Sequence, residues 1–576
     1  VEKEVHKVQI LDPAAGTGTF LAEVIRQVHS KFEGQQGIWS NYVEQHLLPR
    51  LNGFEILMAS YAMAHLKLDL LLTETGYKPT TNQRFKVYLT NSLEEHHADT
   101  GTLFANWLSA EANEANQIKR DTPVMCVIGN PPYSGESANK GEWIMKLMED
   151  YKKEPGGKEK LKEQNSKFIN DDYVKFLRYG QHFIENNGSG ILAFINPHGF
   201  LDNPTFRGMR WNLLKTYDKI YTIDLHGNAK KNETALDGGD DVNVFDIMQG
   251  VSINIFVKTG RKRTHELGKV HHFDLFGLRQ MKYDFLSNNS LSFVPFKELV
   301  NNPPMYFMVQ KNFELNNVYS QGFALNEVFN INSLGLLTKR DGFITDFDKN
   351  TILKRLNDFI DINYTDESLA TKYGLKLKDN DKWDLAKSRR EIQKTGVILD
   401  NFRIQNYRCF DKRYIYYDNN FVARLNTKVL GHLKSHNISL ISTRQLADDN
   451  FNHIFLSNTI SDQCYISNKT KEGCQVFPLY LYSDALPHQS IVDGMIRIPN
   501  LNSDILKLIA VKVGLDFTDE KVDLETTFAP IDILDYIYAV LHSPTYREKY
   551  KEFLKIDFPR VPYPKDKDTF WQLVKL

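Results

Sequence analysis

The chain is poor in cysteine: four of its 576 residues, Cys126, Cys409, Cys464 and Cys474. No two of them stand at CxxC spacing, which argues against a zinc site and against a disulfide framework. No run of 18 or more apolar residues occurs, so no membrane-crossing helix is expected. The first residues, Val-Glu-Lys-Glu, carry no apolar signal-peptide region, and a cytoplasmic location is expected. The tripeptide GK[ST] is absent, which excludes a P-loop and the ATP-driven motor built on one. Charge of one sign is also lacking: the net charge is −1, so the global balance does not announce a nucleic-acid binder. Only local basic clusters do, namely Arg261-Lys262-Arg263, Lys387 to Arg390, and Arg403 to Arg413 with its interleaved tyrosines. The alternative for each is a solvated face.

What is present is enough chain, 41% hydrophobic and 25% charged, for two or three domains with sizeable cores. From residue 8 to about 259, short apolar runs alternate with helical stretches, the pattern of a mostly parallel α/β sheet. Two motifs stand directly after such runs. Residues 8–11 lead into Asp12-Pro13-Ala14-Ala15-Gly16-Thr17-Gly18-Thr19-Phe20, and residues 124–128 lead to Asn130-Pro131-Pro132-Tyr133. The first reads as a glycine turn for a nucleoside-bearing cofactor, placed beyond a strand end where α/β sheets bind ligands. Gly16 and Gly18 remove side chains where backbone must approach the ligand. Phe20, Val24 and Val28 then recur at helical spacing. The turn lacks the third small residue of the dinucleotide fingerprint; its alternative is a tight turn without a ligand. The second motif reads as a polar and aromatic clamp for a planar amine. Glu55, ending the run 51–55, can accept hydrogen bonds from both hydroxyls of a ribose; its alternative is a solvent-exposed carboxylate.

In this order the two motifs resemble the amino-methyltransferases, specifically the gamma class of DNA N6-adenine methyltransferases that use S-adenosylmethionine. The resemblance implies an α/β fold, the seven-stranded S-adenosylmethionine-dependent methyltransferase sheet, completed by strands at 190–198, 220–225 and 251–257. It implies cofactor binding by Asp12, Pro13, Ala14, Gly16, Gly18, Phe20 and Glu55. Asn91 stands where the family carries Asp, and its amide oxygen would accept from the cofactor's adenine amino group. Catalysis is assigned to Asn130, Pro131, Pro132 and Tyr133. The Asn130 side chain and the Pro131 carbonyl would accept from the two N–H bonds of the target amine, a poor nucleophile because its lone pair is delocalised. Two successive prolines fix φ near about −65° and present their carbonyls rigidly, and Tyr133 would stack on the base. Such chemistry is out of reach inside a duplex, so the base must be flipped. Phe245, in the stretch 243–256, matches the aromatic that faces it; the alternative is a core aromatic before a strand. No metal is required. Asn302-Pro303-Pro304-Met305 also begins NPP, but no strand precedes it and Met replaces the aromatic, so a turn is expected. Residues 134–167 are polar with little periodicity and are expected to form a mobile loop over the pocket or along DNA.

Beyond residue 260 the α/β alternation is expected to stop. Residues 354–394 read as charged and helical, 437–483 as strand-like, and 531–554 as a helix. Residues 407–417, beginning Tyr407-Arg408-Cys409-Phe410-Asp411-Lys412-Arg413, resemble an element near the target-recognition domain of large restriction-modification polypeptides. Residues 532–544 and 558–562 resemble their C-terminal signature. Both point to the single-chain type ISP enzymes, which join nuclease, translocase, methyltransferase and target-recognition parts. The expected layout is an N6-adenine methyltransferase domain at 1–265, a connecting region at 266–320, and an α+β target-recognition domain with C-terminal helices at 321–576. The family places one further cofactor-binding segment before the glycine turn, so an upstream extension is expected, together with upstream nuclease and helicase-like translocase domains. Arg403, Arg408 and Arg413 are candidate phosphate or base contacts, with packing and surface roles as alternatives. Asp384 with Glu391 and Lys394 has nuclease-like spacing, but in a stretch where such residues are common. The leading reading is sequence-specific methylation of adenine N6 in double-stranded DNA. The alternatives are a methyltransferase of the same clamp acting on rRNA or on a protein glutamine, and a DNA-specificity module with little turnover.

Overall fold

The apolar runs of the first half pair into one sheet. β1 (Gln9–Asp12), β2 (Leu51–Glu55), β3 (Lys86–Leu89), β4 (Val124–Gly129), β5 (Gly190–Pro197), β6 (Lys219–Asp224) and β7 (Val251–Lys258) are the seven expected strands. Two more follow, β8 (Lys269–Asp274) and β9 (Lys297–Leu299). The order is β3-β2-β1-β4-β5-β7-β6-β8-β9. Neighbours are parallel except that β7 runs against β5 and β6, and β9 against β8. These coordinates come from a computed structural model that describes residues 6–576 apart from 82, 96–105, 136, 162–166, 230–232, 236–237, 312–313, 380–382, 447–450, 468–471, 483–496 and 523–524.

Helices α1 (Thr19–His29), α2 (Met58–Glu74), α3 (Asn106–Asp121), α4 (Glu142–Met148), α5 (Asp172–Asn187), α6 (Arg207–Thr216) and α7 (Arg279–Asn288) connect the strands. α1 starts because Gly18 takes a left-handed φ of 77° at its N-cap, a conformation other residues enter at a cost. Its buried Leu21 and Ile25 pack with Ala64 and Leu68 of α2 and Val87 of β3. A larger core joins Leu11, Val127, Leu192 and Phe256 of the sheet to Val174 and Leu177 of α5. After β1 the chain builds outward through β2 and β3, then returns to place β4 on the other side of β1. That reversal opens a crevice at the carboxyl ends of β1 and β4, the place where open α/β sheets take ligands.

The chain divides into two compact units, Val1–Lys311 and Asn312–Leu576. Most of the expected connecting region 266–320 is therefore no connector: β8, α7 and β9 extend the sheet. His271 and His272 break the apolar run that would have marked β8. In the strand His272 is buried, with Thr222 Oγ1 at 2.7 Å from Nδ1 and Asp274 Oδ1 at 3.0 Å from Nε2, so a polar residue occupies a core position with its ring nitrogens satisfied. The expected mobile loop at 134–167 is also largely absent. α4 forms inside it and buries Ile144 and Met148; of that stretch, residues 136 and 162–166 lie outside the described residues.

The second unit is α+β. One four-stranded sheet contains Thr345–Asp346, β10 (Phe402–Arg408), β11 (Asp411–Tyr416) and Ile460–Ser461; another contains Ser333–Leu334, Ser439–Ser442, Phe455–Ser457 and Gln475–Pro478. The charged stretch supplies helices Lys349–Ile360, Asp366–Tyr373 and Leu385–Thr395. The helix expected at 531–554 is three helices, Pro530–His542, Pro544–Lys549 and Lys551–Leu554. Pro544 cannot continue the first but suits the start of the second, whose Tyr546 N–H is capped by Ser543 Oγ at 3.3 Å. No helix among the described residues is long and apolar enough to cross a membrane.

Candidate active site

Asp12 ends β1 fully buried. Its Oδ1 accepts from the Ala14 N–H at 3.1 Å, while among the described residues Oδ2 has no hydrogen-bond partner. Burial holds the carboxyl up at about 7, against the Ala14 bond and with help from the nearby Glu55 charge. A buried, unsatisfied acceptor at a strand end is a place for a ligand donor. The glycine turn beside it is open: among the described residues, apart from its two chain neighbours, no heavy atom lies within 4 Å of where a Cβ on Gly16 would stand, and its φ is 55°. Pro13 is buried and Ala14 and Phe20 are half-buried. Ser92 Oγ donates to Pro13 O at 2.5 Å, tying the loop after β3 to this turn.

Glu55 ends β2, buried rather than solvent-exposed. Its Oε2 accepts from Gly16 N–H at 2.8 Å, and Oε1 from Ile56 and Leu57 N–H at 3.0 and 2.8 Å. It thereby fixes the glycine turn against the start of α2. Ile56 and Leu57 themselves leave their apolar side chains 61% and 63% exposed, a surface that suits an apolar ring face. Sequence reasoning missed this pair, although two large apolar residues directly after a strand-terminal carboxylate were a readable signal. Asn91 uses its Oδ1 on Leu93 N–H at 3.0 Å and its Nδ2 on Asn139 and Glu94. Lys119 holds the same turn from below, donating to Asn91 O at 2.7 Å and Thr90 Oγ1 at 3.2 Å; burial lowers its pKa to about 8.

The clamp begins one residue after β4. Gly129 was not singled out in the sequence, yet a Cβ there would stand 2.8 Å from Asp12 Oδ1. Glycine at this position is what lets the two motifs lie side by side. Asn130 is exposed, Pro131 buried, Pro132 exposed and Tyr133 half-buried. The Tyr133 hydroxyl donates to Asn130 Oδ1 at 2.5 Å and approaches Ile195 O at 3.3 Å. Burial pushes its pKa well up, so it stays a donor. Tyr133 and Phe245 pack against the same small cluster of Ile223, Leu225, Val244, Val251, Leu275 and Val294, which brings the clamp and the separate aromatic to one end of the sheet.

The segment after the clamp is fixed by α5. Asp171 accepts from Ser134 and Gly135 N–H at 3.1 and 2.9 Å, and Asp172 from Ser137 Oγ and Asn139 Nδ2. Lys175, buried, donates to Ser137 Oγ at 2.7 Å and to Asn139 O. A second polar network lies at the ends of β5, β6 and β8. His198 Nδ1 and Asp224 Oδ1 are 2.9 Å apart, as are His226 Nε2 and Asp274 Oδ1. One ligand atom each from His198, Asp224 and His226 lies within 4.8 Å of the others. Burial favours a neutral His226, but bonds to Asp274 and Glu233 and the charge of Asp224 outweigh it and raise its pKa to about 10.

The remaining expectations divide. Asn302-Pro303-Pro304-Met305 is a turn, with Met305 O held by Arg210 Nε and Nη2 at 2.9 and 2.7 Å. Asp384 caps its helix through Lys387 N–H at 2.9 Å, while Glu391 and Lys394 pair on the surface. Of the basic clusters, Lys262 caps the end of α6 and Arg389 is buried on Asp366 and the Phe359 carbonyl. In the second unit Arg408 pairs with the buried Asp462 at 2.9 Å, and Arg413 binds Asp411 through two nitrogens. Both guanidinium groups lie over the Tyr407 ring. Arg403 donates to Phe402 O at 2.8 Å. Between them, the turn of the β10–β11 hairpin presents Phe410 fully exposed at φ 62°.

Comparison with known proteins adds the following. Residues 52–230 match the Eco57I restriction-modification methylase family, and residues 327–576 match the Type ISP C-terminal specificity domain. No curated protein sequence matches the chain. Among solved structures, the ATP-dependent Type ISP restriction-modification enzyme LlaBIII bound to DNA superimposes with a TM-score of 0.75 at 21% identity, covering 99% of this chain and 36% of LlaBIII. A nuclease-deletion mutant of the Type ISP enzyme LlaGI, in complex with a DNA substrate mimic, gives 0.71 at 20%, covering 99% and 44%. A DrdV–DNA complex gives 0.70 at 22%, covering 99% and 53%. The chain thus spans roughly a third to a half of each of these proteins while sharing their fold throughout. It joins a restriction-modification methylase domain to a Type ISP C-terminal specificity domain.

Proposed function

We propose that this chain transfers a methyl group from S-adenosylmethionine to N6 of an adenine flipped out of a specific DNA site, and that residues 312–576 select the site. The observation that carries the reading is the adjacency of Asp12 and Asn130 at the carboxyl ends of paired strands β1 and β4, with only a glycine between them. A methyl donor and its acceptor must meet within bonding reach, and this crevice is where two such ligands would. The residues fit the cofactor. Asp12 Oδ2 offers a buried acceptor unused among the described residues, Gly16 leaves room for backbone approach, and Ile56 and Leu57 offer apolar surface to a ring. Of its about four lone-pair sites, Glu55 uses three on the Gly16, Ile56 and Leu57 N–H groups and keeps one on Oε2 for a ribose hydroxyl. When bound, S-adenosylmethionine supplies a methyl group on a positively charged sulfur.

The chain's own residues then prepare the acceptor. Asn130 Oδ1 takes one N–H of the adenine amine and the Pro131 carbonyl the other, drawing the nitrogen toward tetrahedral geometry and freeing its lone pair. Tyr133 holds the amide plane through its hydroxyl while its ring and that of Phe245 enclose the base. Positioning and fixed dipoles carry the rate. The natural protein would add nuclease and translocase parts to this one. The test is tritiated-methyl transfer from S-adenosylmethionine to DNA, to rRNA and to protein in parallel. Label in DNA, recovered as N6-methyladenine, supports the reading; label in rRNA or in a protein glutamine replaces it, and no label with intact site-specific DNA binding reduces the chain to a specificity module.

A further inference from the structure

Building on the reading of Phe245 as the aromatic that receives the target base, we propose that α7 sets its position, with Arg279, Lys282 and Tyr283 as positioning residues for base flipping. Residues 241–246 belong to no strand, so their backbone groups have no ladder and need other partners. α7 provides them. Four successive carbonyls each accept from one of its side chains: Val242 O from Lys282 Nζ at 2.9 Å, Asn243 O from Arg279 Nε at 2.8 Å, Val244 O from the Tyr283 hydroxyl at 2.6 Å, and Phe245 O from Arg279 Nη2 at 3.2 Å. The same Nη2 reaches Asp246 Oδ1 at 2.7 Å.

Lys282 and Asp241 form an ion pair at 2.8 Å with both side chains fully buried. Lys282 also donates to Leu225 O at 2.7 Å, and Asp241 accepts from Gly227 and Gly277 N–H. The start of the segment is therefore fixed to the end of β6 and to the approach to α7. From within, Asn243 Oδ1 accepts from Phe245 N–H at 2.9 Å. Phe285 and Leu286, one turn further along α7, pack on the cluster that also seats Tyr133 and Phe245. One helix thus aligns the segment with the clamp. Arg279 bonds the carbonyls on both sides of Val244 with one planar fork, a two-point hold that a lysine does not reproduce. The position matters because stacking on an aromatic ring holds the flipped base, a hold that a displaced Phe245 gives up in part.

The test uses the full chain, its target site first read from methylated DNA. Duplexes carry the target adenine either paired with thymine or opposite an abasic position, which removes most of the cost of unpairing. For Arg279→Lys and Tyr283→Phe we expect turnover on the paired target to fall about tenfold, the KM for S-adenosylmethionine to stay unchanged, and the abasic duplex to recover most of the loss. A role in stability alone would depress both duplexes equally. Equal losses on the two substrates, or no loss, overturn the inference. Should Arg279→Lys unfold, Tyr283→Phe keeps the ring, removes a single hydroxyl and carries the test. If the unmutated chain methylates neither duplex, it is the function proposed above that fails, and this inference falls with it.

Discussion

The residues that the sequence offers as ligand contacts are used differently in the two units. At the strand ends of the first, among the described residues, Asp12 Oδ2 is left without a partner, Gly16 faces open space, and Ile56 and Leu57 are exposed. In the second, the arginines that looked most able to touch DNA are engaged within the fold: Arg408 on Asp462, Arg413 on Asp411, both over Tyr407. At a strand end beside an open glycine turn, a buried acceptor without a partner is a place for a ligand donor, because burial without a partner costs free energy. A specificity surface needs no such acceptor. Its arginines can hold the scaffold while a residue such as Phe410, fully exposed at a hairpin turn, meets the partner.

The sharpest way to break this contrast is at Asn130. Asn130→Ala should lower methyl transfer by about 10²–10³-fold, the range for losing one preorganised polar group in a transition state, while calorimetry shows S-adenosylmethionine still bound. Loss of binding together with turnover would mean that the clamp and the cofactor turn are not separate devices.

Gly129→Ala tests the junction between them. The added methyl would stand 2.8 Å from Asp12 Oδ1, and the forced shift should cost about 1–3 kcal/mol, read as a lower melting temperature and weaker cofactor binding. An unperturbed variant would show the glycine to be incidental.

Arg408→Gln addresses the second unit. It would leave the Asp462 carboxyl, which burial already raises to about 6, without its ion-pair partner, and should destabilise the unit by about 1–3 kcal/mol. The methylated site, read by sequencing, should stay the same. A changed site at unchanged stability would make Arg408 a reader of bases rather than a scaffold residue.

The smallest effect is in pH. Asp12 titrates at about 7 in the folded chain and near 3.8 when unfolded. Its contribution to stability is therefore present at low pH and lost as pH rises from about 4 through 7. A cofactor donor bonded to Oδ2 would favour the charged carboxylate, so binding should release a proton and tighten, by at most about tenfold per unit, as pH rises toward 7. Calorimetry in buffers of different ionisation enthalpy measures that proton. Asp12→Asn should abolish the dependence; an unchanged dependence would assign it to another group.

The first unit was more legible in the sequence than the second, and for physical reasons. Strands β1 to β6, and the antiparallel β7 between β5 and β6, announced themselves because strands of a sheet covered on both faces read as apolar runs. β8 did not, because His272 carries its hydrogen-bond partners into the core with it. The missed strand hid α7, and with it the support of Phe245. Gly129 escaped notice because its reason is a tertiary neighbour, Asp12, more than a hundred residues away. The segment after the clamp looked like a loose loop because its order comes from Asp171 at the N-cap of α5 and from Asp172 and Lys175 on it, rather than from apolar periodicity. In the second unit the pairing of Arg408 with Asp462 spans two strands and left no local trace.

The contrast is tested most directly by exchange. Residues 312–576 would be replaced by the corresponding segment of a restriction-modification enzyme of known site, and the DNA of cells expressing the chimera sequenced for N6-methyladenine. Methylation at the donor enzyme's site, with the original site silent, is the predicted result. Methylation that stays at the original site would place specificity in the first unit and contradict the division of labour drawn here.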